Sequence, residues 1–176
     1  EEFFTADLLQ TFLIESNNPA VMSLAQKIKS GEFIALMNRK AEEIGLKNTK
    51  FFNETGLDST DKENNYSTAE DLTKLSEYIL ENYPLIFDIT KQKDFLLCDS
   101  DNKNCRKVEN TNELLKTNFK GHKIIGGKTG ETKMAGGCLL LVLESEDLKS
   151  NSITIVLNSK DRFGDTKNIV NKYGNK

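Results

Sequence analysis

The chain has 176 residues, of which 24 are basic and 27 acidic, so its net charge is −3, and 37% of its residues are hydrophobic. This length is sufficient for one domain with a substantial core. The slight acidic excess argues against nucleic acid as a partner, because nucleic-acid-binding surfaces carry a basic excess. The sequence opens with Glu1-Glu2-Phe3-Phe4 and no initiating Met. We therefore expect a processing boundary there, with any targeting segment removed before it.

The first half of the chain is predicted to be helical. Thr5 is expected to cap one helix, and Pro19, a favourable first-turn residue, to open a second. A third helix is predicted over residues 32–44, with Gly45 as its C-terminal cap. The tetrapeptide Ser67-Thr68-Ala69-Glu70 is typical of a capping box and predicts a fourth helix. The apolar residues expected to face inward are Leu8, Leu9, Phe12 and Leu13, then Val21, Leu24, Ala25 and Ile28, then Leu72, Leu75, Ile79 and Leu80.

The second half is predicted to be mostly β. Residues 94–98 and 105–109 are expected to form a hairpin, and three further strands are expected at residues 124–131, 137–144 and 152–158. A final helix is predicted over residues 165–173. Helices followed by an antiparallel meander indicate an α+β fold, with a helical cluster packed on an antiparallel sheet.

Three cysteines and one histidine leave little material for a metal site, and none is expected. Cys98 and Cys105 flank a polar hexapeptide and are placed to face each other across the hairpin; whether they form a disulfide depends on the redox compartment. Cys138 lies in an apolar run and is expected to be a small buried side chain. His122 lies in a polar stretch and is expected on a surface loop.

Two short motifs carry the chemical interest: Lys128-Thr129-Gly130 at the head of an apolar strand, and Ser16-Asn17-Asn18 before the second helix. Ser-x-Asn and Lys-Thr-Gly elements, together with Ser-x-x-Lys, mark penicillin-binding proteins and class A β-lactamases. Each motif alone is weak. The longer stretches "MNRKAEEIGLKNTKFFNETGLD", "NNYSTAEDL", "NTNELL", "GGKTGETKMAGGCLLLVL" and "LNSKDRFGD" resemble successive blocks of the D-alanyl-D-alanine carboxypeptidases of peptidase family S11. This resemblance covers essentially the whole chain.

The resemblance implies a β-lactamase/DD-peptidase-like fold and a serine-type D-Ala-D-Ala carboxypeptidase. Such an enzyme trims the pentapeptide of peptidoglycan through an acyl-enzyme, reacts with β-lactams, needs no cofactor and acts outside the cytoplasm. The nearest enzymatic alternative is a β-lactamase, which shares the fold and the Lys-Thr-Gly element. A non-catalytic peptidoglycan-binding or interaction module is the alternative from a different class.

The resemblance also assigns roles to the motif residues. Lys128 supplies a fixed cation, and the hydroxyls of Thr129 and Thr132 are expected to donate to the carboxylate of the substrate. Gly130 carries no side chain, so an extended peptide is expected to lie along this strand. Ser16 is expected to relay a proton. Asn18 is expected to orient the substrate amide, while its position directly before Pro19 also suits a helix cap.

One departure from the family pattern concerns the nucleophile. In the family a Ser-x-x-Lys element precedes Ser-x-Asn, but residues 1–15 contain neither serine nor lysine. Ser59-Thr60-Asp61-Lys62 has the Ser-x-x-Lys pattern, but it follows the Ser-x-Asn element and lies in a polar loop. An activated serine needs a rigid, desolvated environment, so Ser59 is not expected to be the nucleophile. Residues 1–176 are therefore expected to be a partial serine DD-peptidase domain, without the nucleophile helix and the N-terminal strands. In the family those strands pair beside the last strand, so Ser152 to Asn158 is expected to be covered by the missing segment or another chain.

Overall fold

The computed structural model describes residues 2–28, 31–60, 63–147 and 150–174. Within these ranges the chain forms six α-helices, one 3-10 helix and five strands. The α-helices are α1 (Thr5–Glu15), α2 (Asn18–Lys27), α3 (Phe33–Glu43), α4 (Ala69–Asn82), α5 (Leu85–Thr90) and α6 (Arg162–Tyr173). The strands are β1 (Asp94–Cys98), β2 (Cys105–Glu109), β3 (His122–Thr132), β4 (Gly136–Ser145) and β5 (Asn151–Ser159), and the 3-10 helix is Glu113–Lys116. None of the helices in these ranges has the length and apolar character needed to span a bilayer.

The three C-terminal strands form one antiparallel sheet in the sequential order β3-β4-β5. In this register Lys128 of β3 pairs with Leu140 of β4, which in turn pairs with Ile155 of β5. β1 and β2 form a separate two-stranded hairpin. The helical first half and the sequential sheet confirm the predicted α+β class.

The main hydrophobic core lies on one face of the sheet, under α6. Alternate residues of β4 point into it because successive side chains of a strand face opposite sides. The members of this cluster are Leu139, Leu141 and Leu143 of β4, Val170 of α6, and Leu114 and Phe119 of the connecting segment. The opposite face of the sheet is turned towards α4 and α5.

A second cluster fixes the end of α1. Ile14 is fully buried there against Ile89 of α5 and against Leu97 and Val108 of the β1–β2 hairpin. The hairpin is closed by a disulfide between Cys98 and Cys105, so the pairing that the sequence left open is formed in the structure. The last residues of α1 therefore have a rigid support, which matters for the residue that follows them.

Three predicted helix starts are corrected. Phe4, not Thr5, is the N-cap of α1, without a side-chain hydrogen bond. Asn17, not Asn18, caps α2, its side chain accepting a hydrogen bond from the backbone N–H of Ala20. Thr68, one residue later than the predicted capping box, caps α4 through the N–H of Asp71. Neighbouring Ser, Thr and Asn residues have similar capping ability, so only tertiary packing decides which of them is used.

Several burial predictions are also corrected. Leu9 is 38% exposed, and the buried positions of α1 are instead Thr11 and Ile14. Ile28 is 49% exposed, because it lies after the last turn of α2 as its C-cap. The six-residue helix α5 and the 3-10 helix were not predicted, since both are too short to show a clear 3.6-residue periodicity.

Candidate active site

A cleft of about 380 Å³ opens between the α1–α2 link and the outer edge of β3. Its far wall comes from residues 55–57, which belong to the long connection between α3 and α4. Six of the residues that line the cleft were singled out from the sequence: Ser16, Asn18, Lys128, Thr129, Gly130 and Thr132. Positions more than a hundred residues apart therefore meet in one place.

Ser16 is held in an unusual backbone conformation. It is the C-cap of α1 with φ 61° and ψ 38°, the left-handed region, and its N–H donates to Phe12 O at 3.0 Å. This region costs a residue with a β-carbon roughly 1–2 kcal/mol. The turn directs the side chain into the cleft, where the Ser16 hydroxyl oxygen accepts a hydrogen bond from Lys128 Nζ.

Asn18 lies in the first turn of α2. Because Asn17 already caps this helix, the alternative role of Asn18 as the cap is wrong. The Asn18 side chain is instead part of the cleft lining, beside Ser16. In the Ser-x-Asn element, Ser16 therefore ends α1 and faces the cleft, Asn17 caps α2, and Asn18 lines the cleft.

Lys128 is the central cation of the cleft. Its Nζ donates to Ser16 Oγ and, at 3.0 Å, to the carbonyl oxygen of Thr129. Burial, and to a smaller extent the nearby positive charge of Arg162, lowers the pKa of Lys128 to about 8. An amine with such a pKa exists in both protonation states near neutral pH, which suits proton transfer as well as anion binding.

Two threonine hydroxyls share a short hydrogen bond on the floor of the cleft. Thr129 Oγ1 lies 2.5 Å from Thr111 Oγ1, and the Thr111 N–H donates to Ile14 O at 3.2 Å. Thr111 was missed as a site residue because it lies in the polar connection after β2. The quoted block "NTNELL" contains it, but nothing in that block indicates a cleft position.

Thr132, in contrast, is already committed to partners within the chain. Its hydroxyl donates to Asp58 Oδ1 at 2.7 Å and accepts from the N–H of Ala135 at 3.0 Å. A hydroxyl has a single proton to donate. The expectation that Thr132 donates to a substrate carboxylate therefore disagrees with this geometry.

Arg162, at the start of α6, is a second cation that the sequence analysis missed. Its guanidinium donates to the carbonyl oxygen of Gly130 at 3.1 Å and to Glu131 Oε2 at 2.6 Å, and it lines the cleft. The hydrogen bond to Gly130 links α6 to the edge strand. Arg162 lies in the quoted block "LNSKDRFGD", but no spacing rule connects it with Lys128.

The glycines of the Gly126-to-Gly130 stretch serve different purposes. A β-carbon at Gly126 would lie 2.5 Å from Phe87 Cδ1, and one at Gly127 would lie 2.5 Å from the carbonyl oxygen of Leu140. At Gly130 a β-carbon would meet only ordinary contact, 3.7 Å from Cys138 Cβ. The expected free space for a peptide therefore applies to Gly130, whereas Gly126 and Gly127 allow the close approach of α5 and β4.

Comparison with known proteins identifies the family. The model of the D-alanyl-D-alanine carboxypeptidase family matches residues 1–161. The chain belongs to this family, peptidase family S11. Carboxypeptidase DacF of Bacillus subtilis is 32% identical over 155 residues, which cover 87% of this chain and 38% of that protein. The D-alanyl-D-alanine endopeptidase of Escherichia coli is 35% identical over 142 residues, covering 80% of this chain and 44% of that protein.

Solved structures show the same fold. Penicillin-binding protein D2 of Listeria monocytogenes, determined with bound cefotaxime, superimposes with a TM-score of 0.84 at 30% identity and covers 98% of this chain. The match extends over 66% of the Listeria chain. This likeness confirms the predicted DD-peptidase-like fold. The chain spans about two fifths of the length of the curated S11 relatives named above.

Two further expectations about single residues are wrong. Cys138 is only partly buried and lines the cleft next to Gly130, because β4 turns this side chain towards the site and not towards the core. His122 is half-buried and begins β3 instead of lying in a loop. The rejected Ser-x-x-Lys match extends over Asp61 and Lys62, which lie outside the described residues.

We predict different effects for the two kinds of glycine in this S11 motif. Gly127→Ala should destabilise the domain by about 1–3 kcal/mol, the usual cost of overpacking, because its β-carbon meets backbone. Gly130→Ala, the matched control on the same strand, should leave the free energy of unfolding nearly unchanged while lowering substrate affinity. Urea denaturation of both variants, each made in the full-length protein that contains this chain, measures this difference. Equal destabilisation by the two substitutions would contradict the assignment.

Proposed function

We propose that this chain is part of a serine-type D-Ala-D-Ala carboxypeptidase that acts outside the cytoplasm on the pentapeptide of peptidoglycan, through an acyl-enzyme. The contact between Lys128 Nζ and Ser16 Oγ inside the cleft carries the proposal. It joins the Lys-Thr-Gly and Ser-x-Asn elements into a proton-transfer pair. Family membership and the β-lactam-bound Listeria relative support it.

The outer edge of β3 is the proposed peptide-binding strand. Within the described residues β3 pairs with β4 alone, so its other edge faces the cleft. A substrate peptide can add to this edge through backbone hydrogen bonds, a common mode of peptide recognition. Gly130 then gives the peptide close access to the strand.

The carboxylate of the terminal D-alanine would lie near the cations. Lys128 and Arg162 both line the cleft, together with Thr129, whose hydroxyl is hydrogen-bonded to that of Thr111. Charge-assisted hydrogen bonds of this kind are roughly twice as strong as neutral ones. The cleft therefore favours a substrate that ends in a free carboxylate. β-Lactams carry a comparable carboxylate next to a reactive carbonyl, which accounts for their proposed binding here.

Ser16 and Asn18 would act on the scissile amide. Ser16 Oγ accepts a hydrogen bond from Lys128 and can pass a proton to the leaving amine while receiving one from Lys128. The Asn18 amide can accept from and donate to a peptide group. All of these steps use protein side chains, so the mechanism requires no metal and no organic cofactor.

The nucleophilic serine is proposed to come from a segment outside residues 1–176. An apolar groove of about 350 Å³ lies directly beside the cleft and shares Lys128, Thr129, Gly130 and Cys138 with it. The rest of its lining comes mainly from aliphatic side chains: Leu13 of α1, Leu72, Leu75 and Ile79 of α4, Ile86 of α5, and Leu140, Ile155 and Leu157 of the sheet. A helix with an apolar face fits such a groove, and its end would reach Lys128.

The same segment is proposed to cover the free edge of β5. This strand pairs with β4 alone within the described residues. Unpaired strand edges are generally protected by charge, proline or a further element. Residues 152–158 contain neither Lys nor Pro. We therefore place the missing strands of the sheet, or another chain, at this edge.

Release of D-alanine tests the proposed activity. The protein to assay is the complete one, meaning this chain together with the serine-bearing segment. Incubated with a peptide ending in D-Ala-D-Ala, it should release one D-alanine per peptide. Hydrolysis of a β-lactam ring without release of D-alanine from the peptide would favour a β-lactamase. Peptidoglycan binding without either reaction would favour a non-catalytic module.

A further inference from the structure

One wall of the cleft is a preorganised loop. We call residues 55–57 the cleft wall; Leu57 in it is 52% exposed. The Asn53 side chain shapes this wall, because its Oδ1 accepts from the N–H groups of Thr55 at 3.1 Å and Gly56 at 2.7 Å. Its Nδ2 donates to the carbonyl oxygen of Leu57 at 3.1 Å. These hydrogen bonds fix the shape of the wall but do not attach it to the sheet.

Asp58, directly after the wall, makes that attachment. Its Oδ1 accepts from the Thr132 hydroxyl at 2.7 Å, and its Oδ2 accepts from the N–H of Met134 at 3.0 Å. Thr132 is the last residue of β3 and Met134 lies in the β3–β4 turn, both more than seventy residues further along the chain. A second link runs from Asn64 Nδ2 to Met134 Sδ at 3.5 Å. The carboxylate thus bridges the wall and the end of the peptide-binding strand.

The direction of the Thr132 hydrogen bond decides how this residue acts. A carboxylate can only accept, so the Thr132 hydroxyl donates its single proton to Asp58. The same hydroxyl accepts from the N–H of Ala135. Its hydrogen-bonding capacity therefore goes largely into joining the turn to the wall.

We propose that Asp58 is a positioning residue for substrate binding, which holds the cleft wall against the β3–β4 turn through Thr132 and Met134. Thr132 takes part in this clasp and is not the donor to the substrate carboxylate. The clasp sets the width of the cleft at the end beyond Gly130, where the C-terminal residue of the substrate would lie. The assignment of a substrate to this cleft rests on the proposed function.

Acylation of the complete protein by a fluorescent penicillin tests the clasp. Asp58→Ala should raise the dissociation constant of the initial complex on the order of tenfold, as expected for loss of hydrogen bonds to a charged group. The acylation rate constant should change by less than about twofold, since no reacting group is removed. Thr132→Val should reproduce this pattern, Thr132→Ser should restore binding, and the double variant should be no worse than either single one. Asp101→Ala, an exposed carboxylate in the β1–β2 turn, is the matched control.

A direct contact between Thr132 and the substrate would give a different pattern. If the Thr132 hydroxyl binds substrate directly, Asp58→Ala frees its proton, so binding stays unchanged or tightens while Thr132→Val weakens it. That outcome would overturn the proposal. Hydrogen exchange gives a readout that does not need acylation: the N–H groups of Met134, Gly56 and Leu57 should exchange faster in Asp58→Ala. If the wild-type protein is not acylated, the proposed function fails, and unchanged exchange at these amides would overturn the clasp separately.

Discussion

Replacing Lys128 with alanine in the complete protein should lower the rate of acylation by penicillin by a factor on the order of 10² or more, the usual effect of removing a preorganised group that faces developing charge. The physical reason is the double role proposed for Lys128, which donates to Ser16 Oγ and would bind the substrate carboxylate. Stopped-flow labelling measures the rate. Lys123→Ala, an exposed lysine on the same strand, is the control and should react normally. Unchanged acylation of Lys128→Ala would remove this residue from the site.

The pH dependence gives a second view of Lys128. Its pKa is lowered to about 8, chiefly by burial, so the cation is present below this pH and is lost as the pH rises through it. If the Lys128 cation binds the substrate carboxylate, as proposed, kcat/KM should fall above about pH 8 in the complete wild-type protein. Lys128→Arg keeps its charge throughout this range. Its profile should lack the falling limb, even if its absolute rate is low. A falling limb that persists in this variant would assign the titration to another group.

The isolated chain should self-associate or be unstable, whereas the complete protein should be a cooperative monomer. On its own the chain exposes the apolar groove and the free edge of β5, where Leu157 is 41% exposed. Leaving on the order of 400 Å² of apolar surface in water costs about 10 kcal/mol, comparable with the whole stability of a domain. Sedimentation velocity and thermal melting of both forms measure the difference.

A variant with an added charge on the edge strand β5 provides the matched comparison for this experiment. Leu157→Lys should reduce self-association of the isolated chain, because a lysine on an edge discourages strand pairing. Lys160→Leu, which removes a charge just outside β5, should not reduce it. An isolated wild-type chain that is monomeric and melts cooperatively, with β5 open to solvent, would refute the proposed completion by another segment.

Local sequence patterns were sufficient for the long elements. Gly45 correctly marked the end of α3, and a capping box followed by an apolar face predicted α4. The apolar, β-rich runs predicted β4 and β5 close to their observed bounds. Helix caps were predicted less well, because adjacent residues such as Asn17 and Asn18 cap about equally well in isolation. The prediction of burial also failed at Ile28, because this residue lies at the end of a helix, where the helix end and not the apolar periodicity decides exposure.

The residues of the site also divide into those that local motifs predict and those that they do not. Ser16, Asn18 and Lys128 could be predicted because they lie in short motifs with a known chemical logic. Arg162, Thr111 and Asp58 could not, because their roles depend on contacts between distant parts of the chain, such as the guanidinium of α6 at the Gly130 carbonyl. The glycines also show the limit of the sequence pattern: Gly126 and Gly127 directly precede the Lys-Thr-Gly motif, but they allow close packing against Phe87 and Leu140.

The location of the penicillin adduct tests the central claim most directly. The complete protein should be incubated with penicillin, its intact mass measured, and the modified peptide identified after digestion, with the isolated chain treated in parallel. We expect one adduct per complete protein, on a serine of a Ser-x-x-Lys element outside residues 1–176, and none on the isolated chain. An adduct on Ser16, Ser59 or any other serine of this chain would contradict it.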